Sequence, residues 1–173
     1  MGFFLVKALF FFFSIFFVII FDQWAKLLVL NHFDYGESIV MIRDFFSLTY
    51  VRNTGAAFGF LATANPSFRV PFFLVVPIVA MVVLGFLYRD LPKDAKWRAM
   101  ALGLVSGGAV GNLIDRVRLG YVVDFLDFHY QNIYYFPAFN IADTAICLGV
   151  TILLLSTMVI KKEPAHAPSF TRN

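Results

Sequence analysis

Four stretches of this chain stay apolar for longer than a strand or an ordinary core helix needs, and the polar side chains gather between them. The first, at 8–30, opens on a run of phenylalanines and keeps its apolar pattern past Asp22 and Lys26 to Leu30. The second, at 70–88, has no ionisable residue before Tyr88 and can cross a hydrocarbon core of roughly 30 Å. Pro71 and Pro77 within it predict a kink. The third, at 97–114, carries Gly103, Gly107 and Gly111 at four-residue spacing, a face that lets another helix approach closely. The fourth, at 141–160, is entered through Asn140 and Asp143 and left through Lys161 and Lys162. The first run follows Lys7 as a secretory signal would, yet no small-x-small cleavage site follows, so it is read as a retained helix.

The longer connections differ in character. Within 31–69, the stretches 38–42 and 46–51 are rich in β-branched and aromatic residues, which predicts a short sheet on the membrane surface, too small to stand as its own domain. Within 115–140, the aromatic-rich stretch 121–139 suits a membrane interface and predicts an interfacial helix or loop. The expected fold is an all-α membrane protein. It has four transmembrane helices, a small β-sheet on the membrane surface, and one integral membrane domain over 1–173.

Composition agrees with the pattern. At 60% hydrophobic and 14% charged, with 23 phenylalanines among 173 residues, the chain has more apolar surface than a soluble domain of this size can bury. The net charge of +3 is spread over connections, which argues against a nucleic-acid partner and leaves membrane lipids as the surroundings. Lys7, Arg89, Lys93, Lys96, Arg98, Lys161, Lys162 and Arg172 fall in short segments on one side, so the positive-inside rule makes both termini cytoplasmic. Asp22, Asp34, Glu37, Asp44, Asp115, Asp124, Asp127 and Asp143 then lie at or beyond the outer face, where any carboxylate chemistry would take place. The lone Cys147 gives no disulfide framework and reads as a small buried apolar residue.

An ionisable group beside hydrocarbon is costly unless paired, solvated or protonated, so each one at a span end is a functional candidate. Asp143 opens the last span, where a carboxylate is also favoured by the helix dipole alone. Asp124 sits among bulky apolar neighbours that should raise its pKa, with snorkelling to water as the plainer role. Taken together they have a more specific meaning. Two carboxylates in one desolvated site cannot both ionise easily, so one stays basic toward water while the other protonates a peptide carbonyl. That is aspartyl peptidase chemistry, and it calls for no metal and no cofactor.

Asn112, Asp115 and Arg116 fall at helical spacing and can face one groove, although a span-end ion pair would also account for Arg116. Asn53 and Gly55 open a small-residue segment, 53–59, that reads as a turn or as a mobile cover of the groove. Asp22 and Lys26, four apart, are read as a structural ion pair on the first helix. Asp127 and His129 lack the further ligands a metal site needs and read as solvated interfacial residues. His32, His129 and His166 form no zinc-binding helix motif, and no Gly-x-Ser-x-Gly elbow is present. A small proton-coupled carrier would also use membrane-edge carboxylates, and a noncatalytic assembly factor could be built on the glycine face. The gathering of polar groups at one face, away from the midplane, favours the peptidase.

Five blocks carry a resemblance. Asp22-Gln23-Trp24-Ala25-Lys26, the 53–59 segment Asn-Thr-Gly-Ala-Ala-Phe-Gly, the 108–116 segment Gly-Ala-Val-Gly-Asn-Leu-Ile-Asp-Arg, Val122-Val123-Asp124-Phe125 and Phe139-Asn140-Ile141-Ala142-Asp143 resemble, in order, the motifs of the lipoprotein signal peptidases. The resemblance implies a multi-pass peptidase of the bacterial inner membrane with its active site and its small β-sheet at the periplasmic face. Its expected substrate is a diacylglyceryl-modified prolipoprotein, cut before the lipid-bearing cysteine, and its expected inhibitor is the cyclic peptide globomycin. It places catalysis on Asp124 and Asp143, supporting or substrate-contacting roles on Asn53, Asn112, Arg116 and Asn140, and nothing on the tail at 163–173.

Overall fold

The structure, a computed structural model, describes residues 2–55, 60–61, 63–131 and 133–160, without the side chains of 159 and 160. Helix α1 spans Gly2–His32, α2 Pro66–Asp90, α3 Lys96–Leu119 and α4 Ile141–Ile160, and strands β1 Ser38–Ile42, β2 Phe46–Asn53, β3 Val122–Tyr130 and β4 Tyr134–Tyr135 lie between them. Three of the helices, Gly2–His32, Pro66–Asp90 and the Ile141–Met158 part of α4, are long and apolar enough to cross a membrane. α3 is not among them, because Ser106, its glycines, Asn112, Asp115 and Arg116 interrupt its apolar character.

The helices bury the reverse of what a soluble bundle buries. α1 turns inward a single stripe, Lys7, Phe11, Ser14, Val18, Asp22, Lys26 and Val29, at the three- and four-residue steps of one helix face. Phe3, Phe4, Phe12, Phe13, Phe16 and Phe17 point outward instead. α3 answers that stripe with its glycines, as the spacing predicts. A Cβ built on Gly103 would meet the Phe11 carbonyl oxygen at 2.5 Å, and one on Gly107 would meet the Val18 Cβ at 2.9 Å, so the two helices touch backbone to backbone. Gly149 of α4 allows the same approach from the other side, against the Ala101 carbonyl.

α2 begins with Asn65 as its cap, whose Oδ1 accepts from the Ser67 amide, and with Pro66 in the first turn. Pro71 and Pro77 lie inside a helix that continues through both. At its far end Lys7 donates to the carbonyls of Tyr88 and Leu91, at 3.1 and 2.9 Å, and Phe11 stacks on the Tyr88 ring. A lysine expected to mark a flanking segment is thus a buried C-terminal cap for another helix.

The sheet has the order β1-β2-β3-β4, with antiparallel neighbours. β1 falls where predicted, and β2 runs on to Asn53, two residues beyond its predicted end. The interfacial helix or loop predicted after α3 is corrected to strands. Gly120, at φ +80°, ends α3 in the left-handed conformation, and the chain leaves it as β3, paired along β2 with Asn53 opposite Val122 and Val51 opposite Asp124. Tyr50, Val123, Phe125 and Val29 form the core between this sheet and the end of α1.

Two smaller expectations are also corrected. Cys147 faces outward from α4, since in a lipid-facing bundle an apolar run does not reveal which side is buried. His129 is buried, with 9% exposure, and its ring stacks on Tyr135 across the β3–β4 pair.

Candidate active site

Five elements bring their polar residues to one place: the last third of α1, the end of β2, the last third of α3, the start of β3 and the first turn of α4. Asp124 reaches it because β3 leaves Gly120 directly into pairing with β2. Its Oδ2 accepts from Asn53 Nδ2 at 2.9 Å and its Oδ1 from Asn140 Nδ2 at 2.7 Å. Asp143 occupies the third position of α4, and Asn140 is the cap of that helix. The Asp143 amide donates to Asn140 Oδ1 at 2.9 Å, and the Asn140 amide donates back to Asp143 Oδ2 at 3.3 Å, the reciprocal pairing of a capping box. Asp143 Oδ1 accepts from Asn112 Nδ2 at 2.8 Å. Asn140 therefore bonds to both carboxylates, one through its side chain and one through its backbone.

Asp124 is 1% exposed. Burial, and then the charge of Asp143, push its carboxyl up to about 7, against the pull of the Asn53 and Asn140 amides and of Lys26. The pair therefore has one member poised to hold a proton near neutrality while still being gripped by two amide donors.

The other predicted residues take their places around the pair. Asn53 makes the turn weighed for its segment and, besides, a bond to the pair. Its Oδ1 closes a turn on the Gly55 amide at 2.9 Å while its amide nitrogen holds Asp124. Arg116 donates to the Gly55 carbonyl at 3.0 Å and to the Asn112 carbonyl at 3.4 Å, and its guanidinium lies over the Phe73 ring. Among the described residues it makes no ion pair with a carboxylate, so the span-end salt bridge is not formed. Thr54, Arg69, Phe73, Leu74, Arg116 and Gly120 line a groove between α2 and α3 beside this turn. Residues 56–59, the remainder of the small-residue segment, lie outside the described residues.

Behind the pair, Asp22 and Lys26 make the expected ion pair at 2.8 Å. It is wider than a two-residue bridge, because Lys26 also reaches Asp115 at 2.9 Å and Asn112 Oδ1 at 2.9 Å. Asp22 Oδ1 accepts from the Ala142 amide and Asp115 Oδ2 from the Val123 amide, the residues immediately before Asp143 and Asp124. Among the described residues, no group of three or more His, Cys, Asp or Glu side chains could hold a metal ion.

The profile described as Signal peptidase (SPase) II matches residues 14–159. The chain belongs to the signal peptidase II family. It is 47% identical over 150 residues to the lipoprotein signal peptidase of Geobacter sulfurreducens, covering 87% of this chain and 91% of the relative. It is 50% identical over 139 residues to that of Syntrophotalea carbinolica, covering 80% and 84%. A bacterial membrane enzyme solved by the in meso method superposes with a TM-score of 0.80 at 32% identity, covering 90% of this chain and 91% of that one. The chain is a peptidase, and the carrier reading finds no support in these matches.

Within the peptidase, Gln23 is a site residue that its side-chain chemistry alone does not single out. Its Nε2 donates to Asp115 Oδ1 at 2.9 Å and to the Gly111 carbonyl at 3.1 Å, tying α1 to α3 beside the ion pairs. Its place next to Asp22 was the available signal. The Val123 and Ala142 amides left no such signal, because a backbone donor is invisible in side-chain chemistry.

Proposed function

We propose that this membrane peptidase removes signal peptides from diacylglyceryl-modified prolipoproteins, cutting on the N-terminal side of the lipid-bearing cysteine, with Asp124 and Asp143 as its catalytic pair. The observation that carries the reading is the bonding of both carboxylates to Asn140, with Asp124 titrating near 7. In the singly protonated pair, the ionised carboxylate takes a proton from water as the water oxygen attacks the scissile carbonyl carbon. The protonated carboxyl gives its proton to the carbonyl oxygen. As the tetrahedral intermediate collapses and the C–N bond breaks, the carboxyl that took its proton from water passes it to the amine nitrogen, while the other carboxylate takes a hydroxyl proton from the intermediate, so the pair again holds one proton.

Asn53, Asn112 and Asn140 orient the carboxylates, while Arg116 fixes the Gly55 carbonyl at the edge of the groove. Asp22, Lys26 and Asp115 hold the frame. The whole chain acts as one domain, with α3 as the fourth span and the sheet at the periplasmic face of the inner membrane. Both termini are cytoplasmic, and a lipid anchor can remain in the bilayer while the peptide enters from its outer edge. Globomycin, a cyclic peptide, would compete for the same groove.

Pure protein in lipid supplies the test. It should release the signal peptide from a diacylglyceryl-modified precursor, spare the unmodified precursor and be blocked by globomycin. Inert wild-type protein would sink the reading. The orientation has its own test after Cys147→Ser: a cysteine within 93–96 should resist an impermeant thiol reagent in intact cells, and one replacing Glu37 should react. The reverse pattern would move the pair to the wrong face.

A further inference from the structure

Lys26 is 1% exposed and lies wholly inside the protein, on a helix that supplies neither carboxylate of the pair. Its ammonium has three hydrogens and no acceptor, and three acceptors surround it: Asp22 Oδ2 at 2.8 Å, Asp115 Oδ2 at 2.9 Å and Asn112 Oδ1 at 2.9 Å. We propose that Lys26 is a positioning residue for the aspartyl pair, dictating which way round the Asn112 amide stands and so making Asn112 a donor to Asp143. The inference rests on the peptidase reading above and extends it to a side chain that makes no hydrogen bond to either aspartate.

The argument is one of donors and acceptors. Because the ammonium only donates, Asn112 must show it the amide oxygen, and the amide nitrogen is left facing Asp143 Oδ1 at 2.8 Å. A reversed amide would set NH2 against NH3⁺ and a carbonyl against a carboxylate, two repulsions in a buried site where neither is screened. The other hold on the Asn112 oxygen is loose. Asn140 Nδ2 lies 3.2 Å from it, 3.3 Å from the Val123 carbonyl and 2.7 Å from Asp124, so Asn140 keeps partners without it. Without Lys26 the Asn112 amide is free to turn, and once turned it offers an acceptor that only a protonated Asp143 can satisfy. Asp143 would then lose the donor that holds its carboxylate in place. The charged groups around this junction are Asp22 and Lys26 from α1, Asp115 and Arg116 from α3, Asp124 from β3 and Asp143 from α4.

A plainer role for Lys26 is to neutralise Asp22 and Asp115. Lys26→Met/Asp115→Asn separates the two, because it removes one buried charge of each sign. Full-length protein in nanodiscs, with a diacylglyceryl-modified precursor, is assayed beside NMR of protein carrying ¹⁵N-asparagine. The Asn112 side-chain resonance is assigned by its loss in Asn112→Asp. In the double variant we expect kcat to fall about 10- to 100-fold, as for a misplaced catalytic group. KM should stay within about twofold, because substrate binding is untouched. The Asn112 resonance should be displaced while that of Asn53 stays. Lys26→Met alone should also move the alkaline limb of the pH–rate profile upward, since Asp124 loses a cation that favours its ionised form. Lys26→Arg, still a pure donor, should keep the Asn112 resonance in place, and it reads the proposal even if the methionine variants do not accumulate.

A double variant with wild-type kcat and an unmoved Asn112 resonance would overturn the proposal in favour of charge neutralisation. So would an Lys26→Arg protein whose Asn112 resonance is displaced. Wild-type protein that cleaves nothing would strike the peptidase reading instead, while the resonance would still decide the orientation of the amide.

Discussion

α2 and α3 are adjacent in sequence and similar in length, yet each does what the other's composition would suggest. α2, apolar enough to cross a membrane, buries Phe73 alone among its described residues. α3, which fails that composition test, buries ten residues, among them Ser106, Asn112 and Asp115. In water the more apolar helix would be the one inside. In lipid the hydrocarbon already satisfies apolar side chains, so the interior is left to small residues that let backbones meet and to polar groups that find partners only there. Chemistry follows from that sorting, because the helix that is poor at facing lipid is the one that can hold a buried polar network.

The contrast is tested most severely at the residues held against α3. Asp124→Asn or Asp143→Asn preserves size and removes the ionisable group, so each variant should accumulate in the membrane and lose roughly 100- to 10,000-fold in turnover. Val79→Ala, on the exposed face of α2, should leave turnover near that of the wild type. Near-normal cleavage by either asparagine variant, measured with pure protein, would remove that aspartate from the mechanism.

The next effect is mechanical. A Cβ on Gly107 would lie 2.9 Å from the Val18 Cβ, 3.0 Å from the Ile15 carbonyl oxygen and 3.2 Å from the Ile15 Cα, and backbone cannot swing aside as a side chain does. Gly107→Ala should therefore force α1 from α3, at a cost of about 1–3 kcal/mol. It should lower the midpoint of thermal denaturation in detergent, and a midpoint equal to that of the wild type would mean the two helices are not in backbone contact.

A third effect is electrostatic. Asp124 titrates at about 7, raised by burial and by Asp143, so the pair holds its working proton below that pH and loses it above. The sign follows directly: kcat/KM should fall with rising pH on an alkaline limb near 7, by about tenfold per unit once past it. Initial rates from mildly acid to mildly alkaline buffer would show this. A flat profile across neutrality would separate Asp124 from the rate.

What the residue pattern revealed, and what it hid, divides along the same lines. The glycine face of α3 was legible because close approach needs small residues at a regular period, and β1 because its β-branched residues have few other uses. Asp22 and Lys26 were legible as an i, i+4 pair, but their reach to Asp115, Asn112 and the first turn of α4 was not. Those contacts join residues far apart in sequence, and spacing along one helix cannot report them. β3 was hidden for another reason. Val122, Val123, Asp124 and Phe125 are all buried, so the strand lacks the alternation that marks a half-exposed one, and its aromatic density points to an interface instead. The outward position of Cys147 is hidden because an apolar run in a lipid-facing helix has no polar side to mark its outside. Asp124 and Asp143 stand out as candidates in the sequence because a carboxylate beside hydrocarbon is expensive wherever the fold places it.

The smallest predicted effect falls on α2. Gly85 lies inside that helix at an exposed position, and a Cβ built on it meets nothing within 4 Å. Adding a methyl group there disturbs no neighbour, whereas the same addition at Gly107 drives into α1. Glycine in a helix interior costs roughly 0.5–1 kcal/mol relative to alanine, through the freedom it loses on folding. Gly85→Ala should therefore raise the thermal midpoint by a small margin and leave kcat and KM unchanged. A fall in the midpoint would mean that something packs on this face, and α2 would then be a second buried helix rather than the lipid-facing counterpart of α3. Because Gly85 and Gly107 are the same residue in neighbouring helices, the opposite signs of their two substitutions measure the difference between those helices, with the chemistry of glycine held constant.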